Sequence, residues 1–228
     1  MDARLAVLCL LLVGGMLLPG SVGCGQNGLS GRGPEVNLPP PTTAGEMGVA
    51  EAIARRRTVR QFTGESLTIE QISQLAWAGQ GITEAAKGLR AAPSAGALYP
   101  LELYLLTPKG VFRYIPQGQK LAQLSTEDKR LELSAAALGQ ESVREAPLVF
   151  VMTGVLARTE KKYGKRAAQY VYMEAGHAAE NVLLQVVALG LAGGPIGAFR
   201  EAGVSKVLRL SEGETPLYIV NVGHPREG

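Results

Sequence analysis

The fold of this protein is decided by residues 166–191, RAAQYVYMEAGHAAENVLLQVVALGL. Their composition predicts one long helix that ends near Gly190. Apolar side chains lie nearly all round this helix, at Val171, Met173, Val182, Leu183, Val186, Val187 and Leu189. A helix with that pattern is buried on several sides. We therefore expect it at the centre of the domain.

A stripe of polar residues also follows one face of the predicted helix, at Glu174, His177, Asn181 and Gln185. Buried polar side chains need partners, which a helix–helix interface within the chain or across a dimer would provide. Glu174 and His177 have the Glu-x-x-His spacing of di-iron bundles. The only other histidine, His224, has no Glu three residues before it. We therefore predict no metal site and a structural role for this pair.

Helices and strands flank the long helix in an order that does not alternate strictly. The predicted elements are a helix over 46–57, a helix that begins with a capping box at Thr68–Gln71, a hairpin of 101–107 and 111–115, a helix over 121–138, a strand over 148–153, a helix over 204–210 and a strand over 217–222. This order favours an α+β fold, with helices packed on a mixed or antiparallel sheet, over a doubly wound parallel fold.

Composition is that of one globular domain, with 228 residues, of which 46% are hydrophobic and 19% charged. The net charge of +3 is small and spread along the chain, so we expect no nucleic-acid partner. Both cysteines, Cys9 and Cys24, lie close to the N-terminus. The domain that follows therefore has no thiol for a disulfide, a metal site or a nucleophile.

The N-terminus has the pattern of a signal peptide over residues 1–23. Arg4 precedes an apolar run over 5–18 that is shorter than the roughly 20 residues needed to span a bilayer. The run ends before Cys24 in a segment that resembles the lipobox of bacterial lipoproteins. This resemblance implies lipid attachment at Cys24 of an exported protein on the periplasmic or outer face of a membrane. Plain secretion and an uncleaved anchor remain alternatives.

Residues 24–45 are rich in Gly, Pro, Asn and Thr and have few apolar side chains. Such a segment buries too little surface to offset the entropy of ordering, so we predict a flexible tether. A single domain over residues 46–228 follows.

A cluster of cations ends the first predicted helix, at Arg55, Arg56 and Arg57, followed by Thr58 and Arg60. Cations at a helix C-terminus interact favourably with its dipole. Two guanidinium groups and a hydroxyl at this spacing are equally suited to bind a phosphate through charge-assisted hydrogen bonds. Both interpretations remain open from the residues alone.

Three motifs, RRTVRQF at 56–62, PSAGALYPLELY at 93–104 and GGPIGAF at 193–199, together resemble the nitroreductase superfamily, specifically its SagB-type dehydrogenase branch. The resemblance implies a homodimer with FMN at the subunit interface. Residue by residue, it implies that the phosphate is bound by Arg56, Thr58 and Arg60, that the flavin is lined by Pro93, Ser94, Ala95 and Gly96, and that the isoalloxazine ring is approached by Pro195, Ile196, Gly197 and Ala198. Arg226 corresponds to a late cationic phosphate contact.

The activity that this resemblance implies is an FMN-dependent oxidoreductase working in two steps, with a small-molecule or peptide substrate. Azole-forming members of the branch use a Lys-Tyr pair, and Lys162 with Tyr163 is similar in sequence and placement. These two residues are the predicted catalytic pair, with a solvated basic loop as the alternative. A peptide-ring dehydrogenase and a non-catalytic flavin-binding scaffold are the alternative functions.

Overall fold

The computed structural model describes residues 34–226, which form one large sheet with helices on both faces. The strands are β1 (Glu35–Asn37), β2 (Ile82–Glu84), β3 (Leu89–Arg90), β4 (Leu101–Thr107), β5 (Gly110–Ile115), β6 (Lys120–Ser125), β7 (Leu148–Val155), β8 (Ala192–Ile196) and β9 (Glu214–Gly223). The helices are α1 (Val49–Arg55), α2 (Ile69–Gln80), α3 (Arg130–Ala136), α4 (Glu141–Glu145), α5 (Ala157–Tyr163), α6 (Ala167–Ala188) and α7 (Glu201–Leu208). The predicted α+β class is confirmed.

Seven strands form the main sheet in the order β1-β6-β5-β4-β7-β9-β8. Each neighbouring pair is antiparallel. Strands β2 and β3 form a separate two-stranded sheet. The sequential pairs β4–β5 and β5–β6 are hairpins, as expected for strands joined by short turns. Strand β8 lies at one edge, and its outer side is therefore open to another segment of chain.

Two hydrophobic cores lie on opposite faces of the sheet. Alternate residues of β7 separate them: Phe150 packs in the core that contains α2 and α6, and Val151 packs in the core that contains α3, α4 and α7. Because successive side chains of a strand point to opposite faces, a strand covered on both sides is apolar at every position. The run 148–152 is fully buried for this reason.

Helix α6 packs on the sheet and against α1, α2 and α5. The polar stripe predicted along it divides between several partners. Asn181 donates to the carbonyl of Ala91, and Gln185 accepts a hydrogen bond from Gln74 of α2. Another strip of the same helix faces outward, where Tyr172 is 59% and Met173 49% exposed. The helix is therefore central to the fold without being enclosed.

The helix predicted over residues 121–138 is wrong. Residues 120–125 form β6, and only Arg130–Ala136 are helical. A turn with Gly118 and Gln119 at positive φ folds the chain back after β5, so that Tyr114 pairs with Leu121. Tertiary pairing with β5 overrides the helix-forming composition of this segment.

The domain also begins earlier than residue 46. Glu35–Asn37 pair with β6 as the edge strand of the sheet, and the side chain of Leu38 is buried in the core. The predicted tether is therefore wrong for its C-terminal part, because backbone pairing and one apolar anchor fix a segment of loop-like composition. Residues 24–33, the predicted signal peptide and Cys24 lie outside the described residues. Within residues 34–226 no helix is both long and apolar enough to cross a membrane.

Candidate cofactor site

The arginine-rich segment after α1 lies beside edge strand β8. Thr58 forms a parallel bridge with Gly193, and the Val59 N–H donates to the Gly193 carbonyl at 2.9 Å. Residues 57–60, from the motif at 56–62, thus lie beside β8, which contains the motif that begins at Gly193. Two of the three predicted FMN-binding segments are adjacent in the fold.

Glycine is required at the point of contact. A Cβ at Gly194 would lie 2.9 Å from the Val59 carbonyl oxygen and 2.9 Å from Asn221 Oδ1. A Cβ so close to these atoms would fit only if the neighbouring backbone moved. The lack of a side chain at Gly194 therefore allows residues 57–60 to lie directly against β8.

Three of the four arginines in this cluster, Arg56, Arg57 and Arg60, have different roles, which separates the two interpretations that the sequence left open. The guanidinium of Arg57 donates to the carbonyls of Ala54 and Arg56 and thereby caps the end of α1. Arg56 Nε lies 3.6 Å from Glu180 Oε1. Arg60 is exposed and forms no ion pair within residues 34–226. Arg56, Arg60 and the exposed Thr58 therefore remain available for an anion.

The C-terminal residues support this segment from its other side. The Thr63 N–H donates to the His224 carbonyl, and the guanidinium of Arg226 donates to the Phe62 carbonyl at 3.0 Å. Phe62 is almost fully buried, and a Cβ at Gly223 would lie 2.9 Å from its ring. Arg226 is thus next to the arginine segment, although its guanidinium already binds a backbone carbonyl.

The second part of β8 and the residues after it have open space beside them. Ile196 is buried, so its side chain belongs to the core, while Gly197 and Ala198 are exposed. A Cβ at Gly197 would meet only Tyr218, at 4.0 Å. The carbonyl of Ala198 accepts a hydrogen bond from Gln140, which orients the chain. A flat ligand can therefore lie against backbone atoms here.

The loop over residues 93–100 is strained and tightly held. Gly96 has φ of 64°, and the non-glycine residues Ala97 and Tyr99 have φ of 54° and 48°. Such values cost free energy and persist only where surrounding contacts impose them. The Ser94 hydroxyl accepts the Tyr99 N–H, and Arg158 donates to the Tyr99 carbonyl. The Arg90 guanidinium also stacks 4.5 Å from the Tyr99 ring centre.

The predicted catalytic pair lies directly against this loop. Lys162 and Tyr163 are the last residues of α5 rather than part of a loop. A Cβ at Gly96 would lie 2.9 Å from both Lys162 Nζ and the Tyr163 hydroxyl oxygen. Tyr163 also packs edge-on against Tyr170 at 4.9 Å between ring centres. The fold thus brings the Lys-Tyr pair to the Ser94–Gly96 turn.

Glu174 lies under the same loop and was assigned only a structural role from the sequence. Its side chain is 2% exposed, and one carboxyl oxygen has no hydrogen-bond partner within residues 34–226. Burial raises the pKa of this carboxyl to about 7, and Ser94 and Arg90 offset part of that rise. The position of Glu174 in a polar helical stripe did not indicate how deeply its carboxyl is buried. That burial depends on the loop over residues 93–100, which covers it.

The two groups of residues contact α6 at different levels. Arg56 approaches it at Glu180, and the Ser94–Gly96 turn approaches it at Glu174. Six helical residues correspond to about 9 Å along the axis. A single chain therefore presents a cationic group beside β8 (Arg56, Thr58 and Arg60) and a separate loop group (residues 93–96 with Lys162 and Tyr163).

A profile described as the nitroreductase family matches residues 53–224, which are most of the chain. The chain belongs to the nitroreductase family. A nitroreductase homologue of Methanocaldococcus jannaschii is 35% identical over 188 residues, covering 80% of this chain and 93% of the homologue. The family match over residues 53–224 includes residues 56–60, the strained loop and β8.

Solved structures of the family share this architecture. A nitroreductase homologue of Ralstonia eutropha superposes with a TM-score of 0.78 at 28% identity, covering 88% of this chain and 93% of its own. The NADPH:FMN oxidoreductase of Vibrio harveyi superposes with a TM-score of 0.60 at 24% identity, covering 78% of this chain and 69% of its own. The latter likeness shows the fold, and the nitroreductase-like fold class is thereby confirmed.

Replacing Glu174 by Gln in this nitroreductase-family protein should change how stability depends on pH. The folded-state pKa of Glu174 is about 7, above its ordinary value of 4.5. Protonation therefore stabilises the folded state fully below pH 4.5, and this contribution is lost as pH rises through 7. In urea unfolding, the free energy of unfolding of Glu174→Gln minus that of the parent chain should increase by about 1 to 3 kcal/mol as pH rises from 4.5 to 8.

The matched control is Glu180→Gln, which changes an exposed carboxyl on the same helix. Its stability difference from the parent should stay within about 0.5 kcal/mol across that pH range. Parallel curves for Glu174→Gln and the parent would show that the carboxyl is ionised in the folded protein near pH 5.

Proposed function

We propose that this nitroreductase-family oxidoreductase binds FMN and transfers electrons or hydride in two steps, from a donor and then to an acceptor in the same pocket. The observation that carries the proposal is the position of Arg56, Thr58 and Arg60 beside the glycine-rich strand β8. When bound, FMN would supply the redox chemistry, and the protein would supply binding, orientation and electrostatics.

The cationic group fits the phosphate of the cofactor. Arg60 forms no ion pair within the described chain, Thr58 is exposed, and Arg56 has only a long contact to an exposed carboxylate. Planar guanidinium groups bind phosphate oxygens through paired charge-assisted hydrogen bonds. Arg56 and Arg60 would bind the phosphate, and the Thr58 hydroxyl would add a neutral donor.

The backbone over residues 195–198 fits the ring system. Gly197 leaves open space, so main-chain groups can contact a planar ligand there. A backbone N–H placed at a ring that gains negative charge stabilises that charge without reorganisation. Pro195, Ile196, Gly197 and Ala198 would act through their backbone, since the Ile196 side chain lies in the core.

A second copy of the chain would complete the site. Apolar side chains are exposed on α1 and α6, where Val49 is 72%, Ile53 58% and Tyr172 59% exposed. Exposed apolar patches of this kind mark protein–protein contacts. We propose a homodimer through this face, in which one subunit contributes the residues beside β8 and its partner contributes the loop of Pro93, Ser94, Ala95 and Gly96. The separation of the two groups in one subunit supports this arrangement.

The N-terminal sequence bears on where the protein is located. We propose export and lipid attachment at Cys24, with the domain held at the periplasmic or outer face of a membrane. The first described strand begins at Glu35, so about eleven residues would connect Cys24 to the sheet. An extended chain spans at most about 3.5 Å per residue, which keeps the domain within about 40 Å of its anchor.

The cofactor assignment predicts a yellow protein. The purified protein should show flavin absorbance, and the double variant Arg56→Ala, Arg60→Ala should lose it after dialysis. Each charge-assisted hydrogen bond is worth about 1.5 to 3 kcal/mol, so FMN affinity should fall at least about 100-fold. The matched control is Arg144→Ala, Arg209→Ala, which removes the same charge from exposed positions. A colourless parent that also fails to bind added FMN would contradict the proposal.

A second candidate function is a SagB-type dehydrogenase that oxidises azoline rings in peptides. The contact of Lys162 and Tyr163 with Gly96 favours it, since it places a cation and a phenol at the proposed flavin-lining loop. Such a pair can move a proton of the ring, and FMN, when bound, would supply the electron acceptor. Lys162 and Tyr163 are the proposed catalytic residues of this activity.

Replacing Lys162 separates the two candidates. Lys162→Ala should lower the rate of oxidation of an azoline-containing peptide about 100-fold, because proton transfer by a positioned group contributes that much. Reoxidation of the dithionite-reduced protein by menadione should stay unchanged. The control is Lys161→Ala, which removes a neighbouring exposed charge. Equal loss of both reactions would favour a structural role for Lys162, and absence of peptide oxidation in the parent would remove this candidate.

A further inference from the structure

A cleft of about 340 Å³ opens where strands β4 and β5 separate, away from the proposed cofactor site. These strands are paired from Thr107 with Gly110 as far as Tyr104 with Arg113. β4 and β5 also pair along their lengths with β7 and β6 respectively. Residues of both strands line the cleft, so part of its wall is held by the sheet.

The side chains of this cleft are strongly cationic. Arg90, Arg113 and Arg158 line it together with one carboxylate, Glu102. Three guanidinium groups and one carboxylate leave an excess of two positive charges (3 − 1). Arg158 forms the ion pair with Glu102, and the guanidinium of Arg113 has no hydrogen bond or ion pair within residues 34–226. Glu102 offsets the mutual repulsion of the guanidinium groups only in part, and a bound anion would reduce it further.

The back of the cleft contains a polar group without a partner. Gln80 is 2% exposed, and its amide oxygen accepts a hydrogen bond from Arg90 at 2.8 Å. Its amide nitrogen has no acceptor in the described chain. A buried donor left unpaired is rare and costly. An oxygen atom in the cleft would satisfy it.

We propose that this cleft binds a small oxyanion, the carboxylate or phosphate group of a ligand. Arg113 and Arg158 hold the anion at the entrance, and Gln80 with Arg90 binds it at the back. Guanidinium groups suit both anions because they donate paired hydrogen bonds to two oxygens. The site is separate from Arg56, Thr58 and Arg60 and does not depend on the proposed cofactor.

Arg90 and Arg158 also connect the cleft to the loop of residues 93–100. Arg90 stacks on Tyr99, and Arg158 binds its carbonyl. An anion that binds these guanidinium groups therefore acts on the residues that hold the strained loop. Binding should alter the environment of Tyr99 as well as that of the cleft.

The test uses the full chain carrying Arg56→Ala and Arg60→Ala, so that phosphate cannot bind at the proposed cofactor site. Inorganic phosphate and acetate are titrated separately by isothermal calorimetry at low salt. Arg113→Gln in that background should weaken binding of the preferred anion about tenfold or more, as expected for the loss of a charge-assisted contact. Arg113→Lys should bind with intermediate affinity, since it keeps the charge and loses the paired hydrogen bonds. Arg144→Gln, an exposed arginine of α4, is the control and should bind like the background protein.

Arg113 is suited to this test because it makes no polar contact whose loss would unfold the sheet, and circular dichroism of each variant verifies this. Tighter binding of acetate identifies a carboxylate site, and tighter binding of phosphate identifies a phosphate site; either result supports the proposal. Absence of binding of both anions up to tens of millimolar would overturn it. Equal affinities of Arg113→Gln and Arg144→Gln would overturn it as well.

Discussion

The candidate site depends on the close contact between edge strand β8 and the segment that follows α1. One hydrogen bond, from the Val59 N–H to the Gly193 carbonyl, aligns the two segments, and Gly194 leaves the space that they need. An edge strand has unpaired backbone groups on its outer side. Here those groups bind the chain that carries Arg56, Thr58 and Arg60, so the fold places the three proposed phosphate ligands beside a glycine-rich backbone.

Helix α6 is the common support of both halves of the proposed site. Its buried face packs on the sheet and on α2, and its Glu174 and Glu180 approach the loop group and the cationic group respectively. Its outer strip leaves Tyr172 and Met173 exposed. The same helix therefore positions residues within the chain and offers an exposed strip for the proposed contact with a second copy.

Much of the fold could be predicted because it depends on local patterns. The capping box of Thr68 and Gln71 is formed as expected, and the 101–115 hairpin and strand β7 follow from turn chemistry and apolar runs. The prediction of a helix over 121–138 was wrong because pairing with β5 outweighs the local helix propensity of residues 120–125. Strand β1 was missed because its composition resembles a linker and only pairing with β6 orders it.

The motifs named the candidate site residues, but they did not indicate how those residues are grouped. The contact of Thr58 with Gly193 joins segments that are far apart in sequence, and so does the contact of Gly96 with Lys162 and Tyr163. The buried state of Glu174 and the cleft around Arg113 depend in the same way on segments that meet only after folding. Periodicity reports which face a residue occupies, whereas depth and neighbours are properties of the whole chain.

The proposed function depends on binding of the FMN phosphate by Arg56, Thr58 and Arg60. FMN and riboflavin differ only in that phosphate, so the ratio of their dissociation constants for the purified protein measures its contribution. We expect FMN to bind at least about 100-fold more tightly at low salt, as for two charge-assisted contacts. Equal affinities for FMN and riboflavin would contradict it.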